Sequence, residues 1–319
     1  MRTNFIILKC LTLSVPFGCA DDQPGGSSDM GSKDQGDVFF PSDMGTRDAG
    51  SLPRRETIEE ISMAQDLACI RWNNSEVQCW GDDSGSLDWQ TLRLQGDLEV
   101  VRRVVCGLGT SGIPECISSS YNYSDVMFAS FGSVRPGPGS LCGLNHSGEI
   151  ECPFISPGWE GRHQNIPEGP FETLEVARGD YVCGMTEEEE WRCDGDTDFN
   201  KLPPEDRFEK VSLGTGLHCG LKQDGSIRCW GTMPIGPIPM FTGSFSDLDT
   251  SGFEGCGVKT GGALECIGNF VPDTSKAEGI QFRRITVTDS TACGVVGDDK
   301  VFCFGPRISS PPDDIAYVP

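Results

Sequence analysis

Fourteen cysteines at a fixed spacing constrain this chain more than any other feature of it. They fall into seven pairs: Cys69 with Cys79, Cys106 with Cys116, Cys142 with Cys152, Cys183 with Cys193, Cys219 with Cys229, Cys256 with Cys266 and Cys293 with Cys303, each ten residues apart. The first members advance by 37, 36, 41, 36, 37 and 37 residues. Chance does not produce such a series. A period in this range marks a solenoid, a propeller or an array, in which one small unit repeats and packs on its neighbours.

The clearest copy runs Cys219-Gly220-Leu221-Lys222-Gln223-Asp224-Gly225-Ser226-Ile227-Arg228-Cys229-Trp230-Gly231. If 219 faces 229, then 221 faces 227 and 222 faces 226, which leaves a three-residue loop. Gly225 is third in that loop, where a type I turn with a G1 bulge needs a left-handed residue. Gly112, Gly148 and Gly262 hold the same place elsewhere. A period of two puts the cysteines on one face with the pairs Leu144 and Ile150, Met185 and Trp191, Val258 and Leu264, and Val295 and Val301. The other face carries glycines at 107, 143, 184, 220, 257 and 294, where a missing side chain admits close approach by a neighbouring unit. The first copy deviates, with Ile70-Arg71 in place of Gly-Leu, and Pro114 weakens the second.

Cross-strand cysteines at about 4.5–5.5 Å between Cα atoms are within reach of a disulfide, so seven hairpin disulfides are predicted. Zinc does not match a gap of this length without histidines; buried free thiols are the alternative. A further strand precedes the hairpins at Ile58–Met63, Phe171–Val176, Phe208–Leu213, Phe245–Leu248 and Phe282–Val287. Each unit then has three or four short strands and cannot bury both faces alone. Radial closure leaves no exposed end unit, so the expectation is an all-β, seven-bladed β-propeller over residues 54–319 with one hairpin disulfide per blade.

Residues 1–19 read as an export signal, with Arg2 followed by an apolar run from Phe5 to Val15, too short to span a bilayer. The run ends at Gly18-Cys19, which resembles the lipobox of bacterial lipoproteins, although Pro16 and Phe17 depart from it. Cys19 is the expected lipidation site; cleaved secretion without lipid is the alternative. Residues 20–53 are Asp, Gly and Ser with few apolar side chains, and Ser28-Asp29-Met30-Gly31 recurs as Ser42-Asp43-Met44-Gly45. Such a segment cannot offset its ordering entropy and is read as a disordered acidic tether. The chain is expected at the cell envelope or surface, touching the membrane only through its lipid.

The Cys-Gly-Leu-x-x-x-Gly-x-Ile-x-Cys-Trp-Gly core resembles the repeats of the regulator of chromosome condensation family, in the cysteine-paired form of bacterial exported proteins. The resemblance covers about residues 56–319. Cys-Trp-Gly survives at Cys79-Trp80-Gly81 and Cys229-Trp230-Gly231, is altered at Cys303-Phe304-Gly305, Cys266-Ile267-Gly268 and Cys193-Asp194-Gly195, and is lost at Cys152-Pro153. The resemblance implies a seven-bladed propeller. For function it implies only a range, from nucleotide-exchange factors to extracellular inhibitors, and export argues against exchange-factor activity.

Composition narrows the range. With 25 Lys+Arg against 48 Asp+Glu the net charge is −23, so nucleic acid is not an expected partner. Three histidines, His146, His163 and His218, form no constellation. No nucleophile elbow or phosphate loop occurs, and neither an enzyme nor a cofactor is expected. The expected function is a monomeric binding scaffold that engages a protein or glycan through loops on one propeller face. The binding candidates are Tyr121, Asn122 and Tyr123 in a Ser-rich loop, and the irregular segment Ser133–Ser140. Asp194, Asp196 and Asp198 alternate as in a calcium loop, but Phe199 replaces its glycine, so they are read as a solvated acidic loop. The competing class is a carbohydrate-active enzyme with a site in the central channel. Clustered channel carboxylates of raised pKa would favour it, whereas a Tyr-rich face would favour binding.

Overall fold

The computed structural model describes residues 57–81, 89–118, 130–155, 166–177, 182–193, 206–297, 299–308 and 311. Among them there is no α-helix, and 21 strands form seven three-stranded antiparallel sheets. The first comprises β1 (Ile58–Ala64), β2 (Leu67–Trp72) and β3 (Val77–Gly81); the second β4 (Leu94–Val101), β5 (Val104–Gly109) and β6 (Pro114–Ser118). The third comprises β7 (Ser133–Pro136), β8 (Ser140–Leu144) and β9 (Ile150–Ile155); the fourth β10 (Thr173–Val176), β11 (Val182–Met185) and β12 (Trp191–Cys193). Then follow β13 (Lys210–Leu213), β14 (Leu217–Leu221) and β15 (Ile227–Gly231), next β16 (Phe245–Ser251), β17 (Glu254–Lys259) and β18 (Leu264–Gly268), and finally β19 (Phe282–Thr288), β20 (Thr291–Val296) and β21 (Lys300–Phe304). The first strands touch in order, β1 to β4, β7, β10, β13, β16 and β19, and β19 packs back on β1. The seven sheets are therefore the blades of a closed propeller, with the first strands around its axis.

The register is the one that the cysteine spacing demands. Leu221 pairs with Ile227 and Cys219 with Cys229, and disulfides join all seven predicted pairs. Seven disulfides are the mark of an oxidising compartment such as exported proteins meet. The hairpin loops also follow the reading. Lys222 N donates to the Ser226 carbonyl and Gly225 N to that of Lys222, both at 2.9 Å, and Gly225 has φ +81°. The equivalent residue is left-handed in every blade, including the non-glycine Ser75 (+73°), Glu189 (+62°) and Asp299 (+58°).

In one respect the cysteine pairs differ from expectation. Their Cα atoms are nearer than the predicted range, at 4.1 Å for Cys69 and Cys79, 4.2 Å for Cys106 and Cys116, and 3.9 Å for Cys142 and Cys152. Narrow cross-strand pairs, which lack mutual backbone hydrogen bonds, account for the approach. The pairs are not all buried to the same depth. The first cysteine is buried in every blade, but the second is buried only in the first two: Cys79 is 2% and Cys116 8% exposed, whereas Cys152, Cys193, Cys229, Cys266 and Cys303 are half-buried. The cover comes from the following blade. Cys79 packs with Leu92, Leu94 and the half-buried Trp89, and Cys116 with Phe131 and Val134.

The core lies between blades. The disulfide and the Leu221–Ile227 pair of the fifth blade pack on Phe241, Phe245, Leu248 and Ile267 of the next, and analogous clusters recur around the ring. The last closes it: Cys293, Val295 and Val301 pack on Ile58, Ile70, Trp72 and Trp80 of the first blade. The glycines opposite the cysteine face also depart from expectation. A Cβ at Gly220 would stand 2.2 Å from the Phe208 ring, and Gly184, Gly257 and Gly294 are covered in the same way by Phe171, Phe245 and Phe282. The nearest group is thus the aromatic ring at or just before the start of the same blade's first strand; a neighbouring unit also approaches at Gly257, where Ile227 Cδ1 of the preceding blade is 3.0 Å away. The ring crosses over the glycine to reach the preceding blade's disulfide, as Phe208 joins Cys183 and Cys193. The first blade divides the volume differently, with Ile58 and Ile70 both buried.

Candidate functional site

The first strands carry a polar residue opposite the first cysteine of every blade: Ser62, Glu99, Arg135, Glu175, Ser212, Asp249 and Thr286. One turn of the pleat earlier come Glu60, Asp97, Lys210, Asp247 and Arg284. Most of these residues line a central cavity of about 440 Å³. One pleat later the same face carries Ala64, Val101, Ser251 and Thr288, all buried. At the hairpin-tip end Lys210 is half-buried and Arg284 exposed, and this cup-like cavity reaches solvent there.

Most of the acids have a structural task. The first strand of a propeller blade is an edge strand, so alternate backbone N–H groups lack a ladder partner. In several blades polar side chains supply acceptors to the next: Asp247 Oδ2 accepts from Ile285 N at 2.9 Å, Asp249 Oδ2 from Val287 N at 2.8 Å, and Glu60 Oε2 from Leu98 N at 2.9 Å. Ser62 and Ser212 do the same for Val100 N and Thr250 N, each at 2.9 Å. Lys210 Nζ lies 2.6 Å from Asp247, and Arg71 is paired with Glu59 and Glu60.

Glu99, Arg135 and Glu175 are bound less well. Arg135 Nη1 pairs with Asp97 at 2.7 Å, but its Nε is 3.7 Å from both Glu99 and Glu175, too far for a hydrogen bond. That Nε is buried and makes no hydrogen bond. The three side chains keep 32%, 14% and 23% exposure for Glu99, Arg135 and Glu175, all of them towards the cavity. Burial raises the Glu99 carboxyl to about 8, against the attraction of Arg135 and with help from Glu175, Glu60 and Asp249. Glu175 is also raised, again by burial first.

Sequence reasoning did not single out this cluster. Its signal was present, since a polar residue stands seven positions before the first cysteine in six copies and eight before it in the fourth. The segment Ser133–Ser140, expected as an irregular binding loop, is instead the first strand of the third blade and the start of its second; Arg135 projects from it into the cavity. Two prolines hid the strand, and one of them, Pro136, ends it. The fourteen cysteines, from Cys69, Cys79, Cys106 and Cys116 to Cys293 and Cys303, are joined as expected and pack between blades, away from the cavity lining. Tyr121, Asn122 and Tyr123, the Asp194, Asp196 and Asp198 loop, and Cys19 lie outside the described residues.

No family model matches the sequence, and no curated protein is detectably similar to it. Solved structures are. The CRINKLY WD40 ectodomain of the Arabidopsis thaliana receptor kinase ACR4 superposes with a TM-score of 0.64 at 22% identity, covering 81% of this chain and 98% of that one. The entire ectodomain of the Physcomitrella patens receptor kinase CR4 gives 0.64 at 19%, covering 80% and 75%. Yeast RCC1 (Prp20), solved with Kap60, gives 0.55 at 9%, covering 79% and 81%. At these identities the likeness is one of fold, and the chain is an RCC1-like repeat propeller in that sense.

Proposed function

We propose that the chain is an exported scaffold, anchored through a lipid on Cys19, that binds a protein partner with loops on one propeller face. The observation that carries this reading is the closed ring of blades, each stapled by its own disulfide. A frame this rigid loses little entropy when the loops it holds engage a partner. The neighbours in fold support it: two are receptor ectodomains, and a third was solved bound to another protein. The Tyr121-Asn122-Tyr123 loop remains the favoured contact, because tyrosines offer area with few rotatable bonds. Capture of surface proteins by the full chain tests the proposal. Replacing Tyr121 and Tyr123 by alanine is expected to weaken capture without changing melting, and equal capture would remove this loop from the site. Palmitate labelling lost in Cys19→Ala is the corresponding test of the anchor.

One observation favours a second reading, a carbohydrate-active enzyme. A carboxyl raised to about 8 keeps its proton at neutral pH, as a general acid must, and Glu175 stands beside the same arginine. Release of reducing ends from a glycan, abolished in Glu99→Gln, would establish it; no release from any glycan that the protein binds would remove it.

A further inference from the structure

We infer that the central cup is a binding site for a polyhydroxylated ligand, a sugar of one or two rings, held by Arg135, Glu99 and Glu175. The argument is a count of hydrogen-bonding groups. Arg135 Nε is a buried donor without an acceptor. Glu175 makes no hydrogen bond with a described residue, and the one made by Glu99 is a long contact of 3.5 Å from Ser62 Oγ. Nε itself is shut off from the cavity, so a ligand there meets the exposed part of the guanidinium, which only donates, beside carboxyl groups that accept, and must both accept and donate at the same place. An ammonium only donates and a carboxylate only accepts, whereas a hydroxyl does both. A hydroxyl can also accept a hydrogen bond from protonated Glu99, which stands among Glu60, Asp97, Arg135, Glu175 and Asp249, the charged groups of the neighbouring first strands.

The surroundings agree with this class. A volume of about 440 Å³ is that of a small-ligand pocket, well beyond a single bridging water. Ala64, Val101, Ser251 and Thr288 are buried at one end and Arg284 is exposed at the other, which gives a ligand a route in from the hairpin-tip face. Arg284 makes no ion pair with a described residue, which leaves its guanidinium available to further hydroxyls at the mouth. The other acids are already engaged by backbone N–H groups or by Lys210 and Arg71, so recognition falls to the third and fourth blades and to Glu99. The inference does not rest on the protein-binding reading. It needs no turnover either, so binding without hydrolysis would remove the enzyme and keep the site.

The test is saturation-transfer NMR on the full chain with D-glucose, D-mannose and D-galactose, followed by amide-shift titration. Transfer to at least one hexose is expected, with shifts concentrated on the first strands around Glu99, Arg135 and Glu175. Glu175→Ala and Glu99→Ala are expected to weaken binding about tenfold or more, and Glu99→Gln, which keeps a donor and an acceptor, by no more than about threefold. Absence of transfer to all three hexoses would overturn the inference. So would shifts confined to the outer surface, a measurement that needs no variant, or binding of the diamine putrescine in place of every hexose.

Discussion

The exchange of volume between Phe208 and Gly220 can be tested as a pair. Phe208 is 1% exposed, its ring stacks on Trp230 at 5.5 Å, and it lies directly over Gly220. A side chain at 220 begins with a Cβ 2.2 to 2.5 Å from three ring atoms, so Gly220→Ile must displace the ring from its place against the Cys183–Cys193 disulfide. Overpacking of that kind costs about 1–3 kcal/mol. Phe208→Ile leaves the opposite defect. It removes about three carbons of buried ring, roughly 2–3 kcal/mol with the cavity included. The double variant copies the first blade, where Ile58 and Ile70 share the same space. Its expected cost is about 1–2 kcal/mol, less than the sum of the two, which gives a coupling of roughly 2–3 kcal/mol. Urea unfolding with the disulfides intact measures all three. Additivity within about 0.5 kcal/mol would refute the claim that ring and glycine fill one volume.

Other consequences can be checked alongside. Burial lowers the His218 imidazole to about 4, so the native ring stays neutral while the unfolded one, at 6.5, takes up a proton. Its contribution is complete above pH 6.5 and is lost as pH falls towards 4, by about 1.4 kcal/mol per unit at most; His218→Gln should flatten that interval of the stability profile. Glu189, held at φ +62° in a hairpin position where four blades use glycine, predicts a gain of about 0.5–1 kcal/mol for Glu189→Gly in thermal unfolding; a loss would mean the turn is unstrained. Asp247→Ala removes the acceptor for Ile285 N and the partner of Lys210, and should cost about 2–3 kcal/mol in urea, more than Asp247→Asn, which keeps a neutral acceptor; equal effects would show that the acceptor adds nothing to the charge.

The sequence alone determined the blade count, the hairpin register and the disulfides, because these depend on residues ten apart on one hairpin, where spacing and the period of two leave a single pairing. It also determined the left-handed hairpin position at Gly225, a property of three consecutive residues. How deeply each disulfide is buried was not written there, since Cys79 and Cys116 owe their cover to Leu92 and Phe131 of the following blades. What covers Gly220 depended likewise on how far a phenylalanine twelve residues earlier reaches across its own sheet, and that was decided by packing. The cup belongs to the tertiary structure for the same reason on a larger scale. Glu99, Arg135 and Glu175 lie on three different blades, and in sequence they look like ordinary polar positions of half-exposed strands. Only closure of the ring brings them within 3.7 Å, removes water from around them and leaves their hydrogen bonds incomplete.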